Sequence, residues 1–204
     1  MHCDPDYAWP MPRGAVRGDP RKQEFCQMCH VPRYFYVDDA RVCVQCGCSF
    51  VFGAAEQKHW YETLKFHFDS VPIRCLACRR KRRSDGALRQ QLADAKVRFR
   101  KEPEEPAALL ALAEAIVLFR QRFDEGQLAE AVAAARKARR LLRDHSNHEL
   151  AEALFWEASA QALAGRAETA RPLYVHFLES DGGGRRHVRF VREARAWLEH
   201  NPSN

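Results

Sequence analysis

The chain has no apolar run approaching the roughly 18 residues that a membrane span needs. Its opening MHCDPDYAWPMPRG is too polar and too broken by proline for a secretory leader. The expected compartment is therefore the cytoplasm, with no membrane partner. Asparagine does not occur before Asn147, and no cysteine follows Cys78. The missing asparagine argues against an HNH-type nuclease, which frames a His and an Asn between two cysteine knuckles; His59 and His67 lie in that interval, but no Asn does. Also absent are His-Glu-x-x-His, a phosphate-binding glycine loop and Gly-x-Ser-x-Gly. No catalytic residues are assigned, and no enzyme activity is expected.

What is present describes a folded protein. Hydrophobic residues make up 46% of the 204 and aromatics 10%, enough for a core. All eight cysteines lie in the first 78 residues, and six form Cys-x-x-Cys pairs: Cys26/Cys29, Cys43/Cys46 and Cys75/Cys78. In a cytosolic chain such pairs point to metal or redox chemistry rather than structural disulfides. Cys3 and Cys48 are left over. The net charge of +6 is concentrated with the cysteines, since residues 1–83 carry 14 Lys and Arg against 9 Asp and Glu while residues 84–204 carry 19 against 18. The excess ends in Arg79-Arg80-Lys81-Arg82-Arg83, a run that either contacts phosphates or is a solvated helix start or linker.

Composition divides the chain. Residues 1–24 are rich in Pro, Gly, Arg and Asp, and read as an extended arm that either lies on the next domain or is loose in solvent. Residues 25–83 hold the remaining cysteines and two strand-like stretches, Tyr34-Phe35-Tyr36-Val37 and Ser49-Phe50-Val51-Phe52. Between the second stretch and Cys75, Trp60, Leu64 and Phe68 fall at helical spacing. Residues 84–105 read as a connecting helix, with Ser84-Asp85 as its N-cap, stopped by the linker Lys101-Glu102-Pro103-Glu104-Glu105-Pro106. Residues 106–204 carry five helical segments with short breaks at Asp124-Glu125-Gly126, Asp144 to Asn147, Gly165-Arg166 and Gly182 to Gly184. Such short connections predict antiparallel neighbours. His145 and His148 flank a helix start where Ser146 or Asn147 serves as N-cap. Trp60, Tyr61, Trp156 and Trp197 read as core anchors.

Two of the helical hairpins resemble tetratricopeptide repeats. Phe123, Gly126, Ala131, Ala135 and Ala138 fall at that repeat's aromatic, turn-glycine and small-residue positions, and Gly165, Ala170, Tyr174 and Phe177 repeat the offsets. Small residues let paired helices approach closely. The glycines are 39 residues apart, longer than the usual spacing of about 34. A plain Ala-rich bundle with the same small-residue packing is the alternative.

Zinc prefers four tetrahedral ligands, and a Cys-x-x-Cys turn presents two thiolates from one tight knuckle. Cys43 and Cys46, followed by Gly47, supply one half of such a site, and Cys75 and Cys78 the other, with 28 residues between. The stretch from Tyr34 to Arg80 resembles the bacterial probable zinc-ribbon domain family through Tyr36-Val37-Asp38, the Cys43–Gly47 knuckle, Glu56-Gln57-Lys58, Trp60-Tyr61-Glu62, Pro72 and Arg74-Cys75-Leu76-Ala77-Cys78-Arg79. The resemblance covers about a quarter of the chain and implies that Cys43, Cys46, Cys75 and Cys78 ligate Zn2+. Cys26 and Cys29 fall outside it. A second metal there needs further ligands from Cys3, Cys48, His2, His30, His59 or His67; redox chemistry or plain packing are the alternatives. Cys48 is expected to be a small buried hydrophobe opening the Phe50/Phe52 strand.

The expected fold class is α+β: a small zinc-ribbon module with one inserted helix, then an all-α tetratricopeptide-like hairpin domain. The expected function is a non-enzymatic zinc-binding adaptor with an unidentified protein partner on the helical part. The competing expectation is a nucleic-acid-binding or regulatory zinc-ribbon protein that uses residues 79–83.

Overall fold

The computed structural model describes residues 10–24, 31–143, 147–181 and 187–202. It contains two compact units, Met1–Arg82 and Arg83–Asn204. No helix among the described residues is long and apolar enough to cross a membrane.

The described residues of the first unit form two antiparallel strand pairs. β1 (Val16–Arg17) pairs antiparallel with β2 (Phe35–Tyr36), placing Val16 opposite Tyr36. β3 (Asp39–Val42) pairs antiparallel with β4 (Ser49–Phe52), placing Val42 opposite Ser49. α1 (Ala54–Lys58) comes after β4 and runs on into a π-helical turn, His59–Thr63. Tyr36, Phe52, Ala54 and Tyr61 form the core, with Tyr36 stacked on Tyr61 at 6.0 Å and Phe52 edge-on to Trp60 at 5.6 Å.

The motif residues of this segment hold it together. Asp38 Oδ1 accepts from the Ala54 N–H at 2.8 Å and so caps α1, whose first N–H groups have no partner within the helix. The buried Gln57 donates to the carbonyls of Val37, between β2 and β3, and Phe52, in β4, fastening α1 to the strands. Trp60 Nε1 and the Tyr61 hydroxyl reach Ser70, at its Oγ and its carbonyl respectively. The role of Gln57 is not legible from sequence pattern, because nothing in periodicity marks a buried amide.

Residues 16–23 of the proline-rich arm lie on this unit. Besides the β1–β2 pairing, the Asp19 N–H donates to Glu62 Oε1 at 2.7 Å, and Lys58 Nζ donates to the Arg17 carbonyl at 2.9 Å. Gln23 brackets Arg33 through both its amide atoms. Gly18 is required at its position: a Cβ there would sit 2.2 Å from the Arg33 carbonyl oxygen.

Three expectations need correcting. The inserted helix ends at Thr63, where Lys65 adopts a left-handed φ of 55°; Leu64 is 47% exposed and Phe68 is buried beyond the helix end. The strand expected over 34–37 is two residues long, and β3 turns its apolar residues, Ala40 and Val42, to the exposed side, the reverse of a core-facing strand. The connecting helix does not begin at Ser84. α2 runs unbroken from Leu76 to Lys101, and its sequence has a single β-branched residue, Val97, among Leu, Ala, Arg, Lys and Gln. That composition carries the helix through Ser84-Asp85-Gly86. Asp85 accepts from Arg122 Nε at 2.6 Å rather than capping.

The second unit is helical. α3 (Pro106–Phe123), α4 (Leu128–Leu141), α5 (Asn147–Leu163), α6 (Ala167–Asp181) and α7 (Val188–His200) succeed one another, with Pro106 at the first helical position of α3. α3 packs on α4, α4 on α5, α5 on α6 and α6 on α7, and α3 also packs on α5. Ala131, Ala135, Ala138, Ala151, Ala153, Ala158, Ala160 and Ala170 are sealed between these helices. Phe155 is the centre of the core, within 4.3 Å of Phe190, 5.4 Å of Phe177 and 6.0 Å of Tyr174 between ring centroids. Glu157, 1% exposed, is held by Arg136 and Arg139 of α4. The His145–His148 stretch lies outside the described side chains.

Candidate metal centre

The turn between β3 and β4 is short and sharply folded. The Gly47 N–H donates to the Cys43 carbonyl at 2.9 Å, and the Cys43 N–H donates to the Cys48 carbonyl at 2.9 Å, so the chain doubles back within six residues. Gly47 has φ +72°, a left-handed conformation that glycine adopts without cost. The Val44 N–H donates to the Ile73 carbonyl at 3.0 Å and draws residues 72–75 against the knuckle. Cys75 immediately precedes α2 and Cys78 lies in its first turn. The site is thus a knuckle facing a helix N-terminus. Two knuckles at strand ends, as a zinc ribbon has, are not what forms, because helix-favouring residues begin directly after Cys75.

The thiols of Cys43, Cys46, Cys75 and Cys78 all lie within 4.8 Å of one another. Cys46 Sγ and Cys75 Sγ are 3.8 Å apart. Metal–sulfur bonds of about 2.3 Å at tetrahedral angles separate neighbouring sulfurs by about 3.8 Å. The donor set, four soft thiols with a spacing of this size, fits a tetrahedral metal ion.

The local field prepares some of these thiols for deprotonation. Burial pushes the Cys43 thiol up, but the backbone N–H groups of Cys75, Cys46 and Gln45 outweigh it and bring the pKa down to about 6. The Cys78 N–H, at the start of α2, holds Cys75 below the usual thiol range. Burial, then hydrogen bonds with Cys46, Cys75 and Cys43, pushes Cys78 up to about 12. Cys43, Cys75 and Cys78 are 1%, 7% and 9% exposed, whereas Cys46 is open to solvent.

Cys48 contradicts its expected place in the core. It is exposed, and its sulfur stands 3.3 Å from Cys46 Sγ. β4 alternates, and Ser49 and Val51 are likewise exposed while Phe52 is buried; the doubling back at Gly47 turns Cys48 toward the thiols instead. Cys26 and Cys29, with Cys3, His2 and His30, lie outside the described residues. His59 and His67 are both exposed and belong to no metal-holding cluster among the described residues.

The basic run occupies the first turns of α2. Arg79 pairs with Glu56 at 2.7 Å and lies over the Trp60 ring, so it belongs to the first unit's packing. Arg80, Lys81, Arg82 and Arg83 are exposed, and at about 100° per residue they surround the helix rather than line one face.

No curated protein and no solved structure matches the chain. A family model described as a probable treble clef domain matches residues 37–86, and within that zinc-binding fold Cys43, Cys46, Cys75 and Cys78 are positioned to hold a metal ion.

Proposed function

We propose that the chain is a non-enzymatic adaptor in which a structural zinc ion stabilises the first unit and a tetratricopeptide-like helical unit binds a protein partner. Zinc on four thiolates is coordinatively closed, so it ties the knuckle to the start of α2 and has no position for substrate. The thiols of the first unit do the holding, while the N–H groups around Cys43 and Cys75 stabilise their charge. The exposed cations that come after Cys78 would otherwise be unfavourable at a helix N-terminus; the net negative charge of a metal tetrathiolate offsets them.

The observation that carries the partner-binding part is the packing of α3 on α5 as well as on α4. In a stack of helical hairpins the first helix of each pair packs on the first helix of the next, and these first helices line a concave face. Glu114 of α3 feels the charges of Glu152 of α5 and Arg189 of α7, which stand on this set of alternate helices. Charges gathered there are suited to fixing the register of an extended or helical segment of a partner. The test is affinity capture with the full chain against a Glu114→Lys/Glu152→Lys variant that retains its helical circular dichroism. A partner retained by the native chain and lost by the variant supports the proposal; equal capture by both, or none by either, rejects it.

Nucleic acid is the second reading, favoured by the exposure of Arg80 to Arg83. It requires binding that weakens steeply as salt rises, which a titration with duplex and single-stranded DNA measures.

A further inference from the structure

A fifth thiol, Cys48, stands at the edge of the four-thiol cluster, beside Cys46. Cys48 Sγ lies 3.3 Å from Cys46 Sγ. Sulfurs at neighbouring corners of a zinc tetrahedron are about 3.8 Å apart, the separation that Cys46 and Cys75 already have. Cys48 is therefore too close to Cys46 for both to be corners of one tetrahedron, and it stands beside the corner that Cys46 holds. The two thiols contend for one position.

That position is the accessible side of the site. Cys43, Cys75 and Cys78 are buried, while Cys46 and Cys48 are both exposed. Nor does Cys48 sit on a loose loop. Its carbonyl accepts from the Cys43 N–H at 2.9 Å, and the left-handed Gly47 fixes the turn between the two contending residues.

From this geometry we propose that Cys48 is a reserve ligand that exchanges with Cys46 at the exposed corner of the metal site. The proposal rests on Cys43, Cys46, Cys75 and Cys78 holding the metal. In the exchange the Cys48 sulfur forms a bond to the metal as the bond to Cys46 breaks, and the proton of the Cys48 thiol passes to the departing Cys46 sulfur. No oxidation state changes, and the metal keeps four thiolates before and after. The site therefore tolerates loss of a thiol at this corner but at none of the three buried ones.

The test uses the full chain and its Cys43→Ser, Cys46→Ser, Cys48→Ser and Cys46→Ser/Cys48→Ser variants, loaded with zinc or with cobalt(II). Chelator competition gives the affinity, and the sulfur-to-cobalt charge-transfer band reports the number of thiolates. Native protein, Cys48→Ser and Cys46→Ser should each bind one metal with a four-thiolate cobalt spectrum, the last within about tenfold of native affinity. Cys43→Ser and the double variant should lose more than about a hundredfold, beyond the range of an outer-shell change. If Cys46→Ser loses metal as fully as Cys43→Ser, folded or not, or binds cobalt with a three-thiolate spectrum, the exchange is overturned while the four-cysteine site stands. If the native chain itself takes up no metal, both fall.

Discussion

Replacing the buried Glu157 and replacing its two arginines should have unequal costs, and the inequality can be worked from exposure. The Glu157 side chain is 2% exposed, with Arg136 Nε at 3.0 Å from Oε1 and Arg139 Nε at 3.2 Å from Oε2. The arginines are different: their side chains are 47% and 34% exposed, and each can turn its charge to water. Glu157→Gln therefore forfeits charge-assisted contacts but strands no buried ion, a loss of about 1.5–3 kcal/mol. Arg136→Gln/Arg139→Gln leaves a carboxylate sealed between α4 and α5 without a counter-ion, a loss of about 3–5 kcal/mol. Replacing all three by apolar residues of similar volume should restore most of the stability, because no charge then needs compensation. Urea unfolding of the full chain monitored by helical circular dichroism measures all three variants; each kcal/mol also moves the thermal midpoint by about 2–8 °C. A double arginine variant no less stable than Glu157→Gln would show that the buried carboxylate does not need its two counter-ions.

Other expectations concern the arm, the helical face and the metal. Gly18→Ala drives a methyl into the Arg33 carbonyl at 2.2 Å, and should cost about 1–3 kcal/mol and release the arm. Faster tryptic cleavage at Arg13 and Arg17 would register this, and an unchanged rate would not. Burial, then the nearby Glu152, raises the pKa of Glu114 above the usual carboxylate value, with Arg189 opposing. Its ionisation thus weakens the native state as pH rises through the raised value, and below the unfolded-state value the penalty is gone. Glu114→Gln should accordingly stabilise the chain at neutral pH and have no such effect below about pH 4. Removing zinc with a chelator should unfold the first unit and spare the helical circular dichroism of α3 to α7. Loss of both together would mean that the second unit depends on the first.

Much of this architecture is legible in the chain. The bounds of α3 come from Pro106 and the αL Asp124 around an apolar run, and β4 from the aromatic alternation of Ser49–Phe52. The four thiols are legible because each Cys-x-x-Cys pair places two ligands within one turn, whether a strand or a helix lies beyond it. The element beyond the second pair is harder to read. Arg79 to Gly86 offers no apolar periodicity, and Ser84-Asp85 imitates a cap, so the pattern hides a helix that is continuous from Leu76. Cys48 illustrates a second limit: alternation along β4 does not determine its side, because the hydrogen bond from the Cys43 N–H to the Cys48 carbonyl turns the residue back to the thiols. The arm's two-residue strand is equally invisible, since its partner Tyr36 lies 20 residues away and Gly18 is needed only for close approach to Arg33.

Whether Cys43, Cys46, Cys75 and Cys78 hold a metal ion is decided by the metal content of the purified full chain. Elemental analysis should find about one zinc per chain in native protein and none in a Cys43→Ser/Cys75→Ser variant. About two equivalents would bring Cys26 and Cys29 in as ligands of a second ion. A folded native chain that contains no zinc and takes up none on titration would mean that the four thiols are not a metal site.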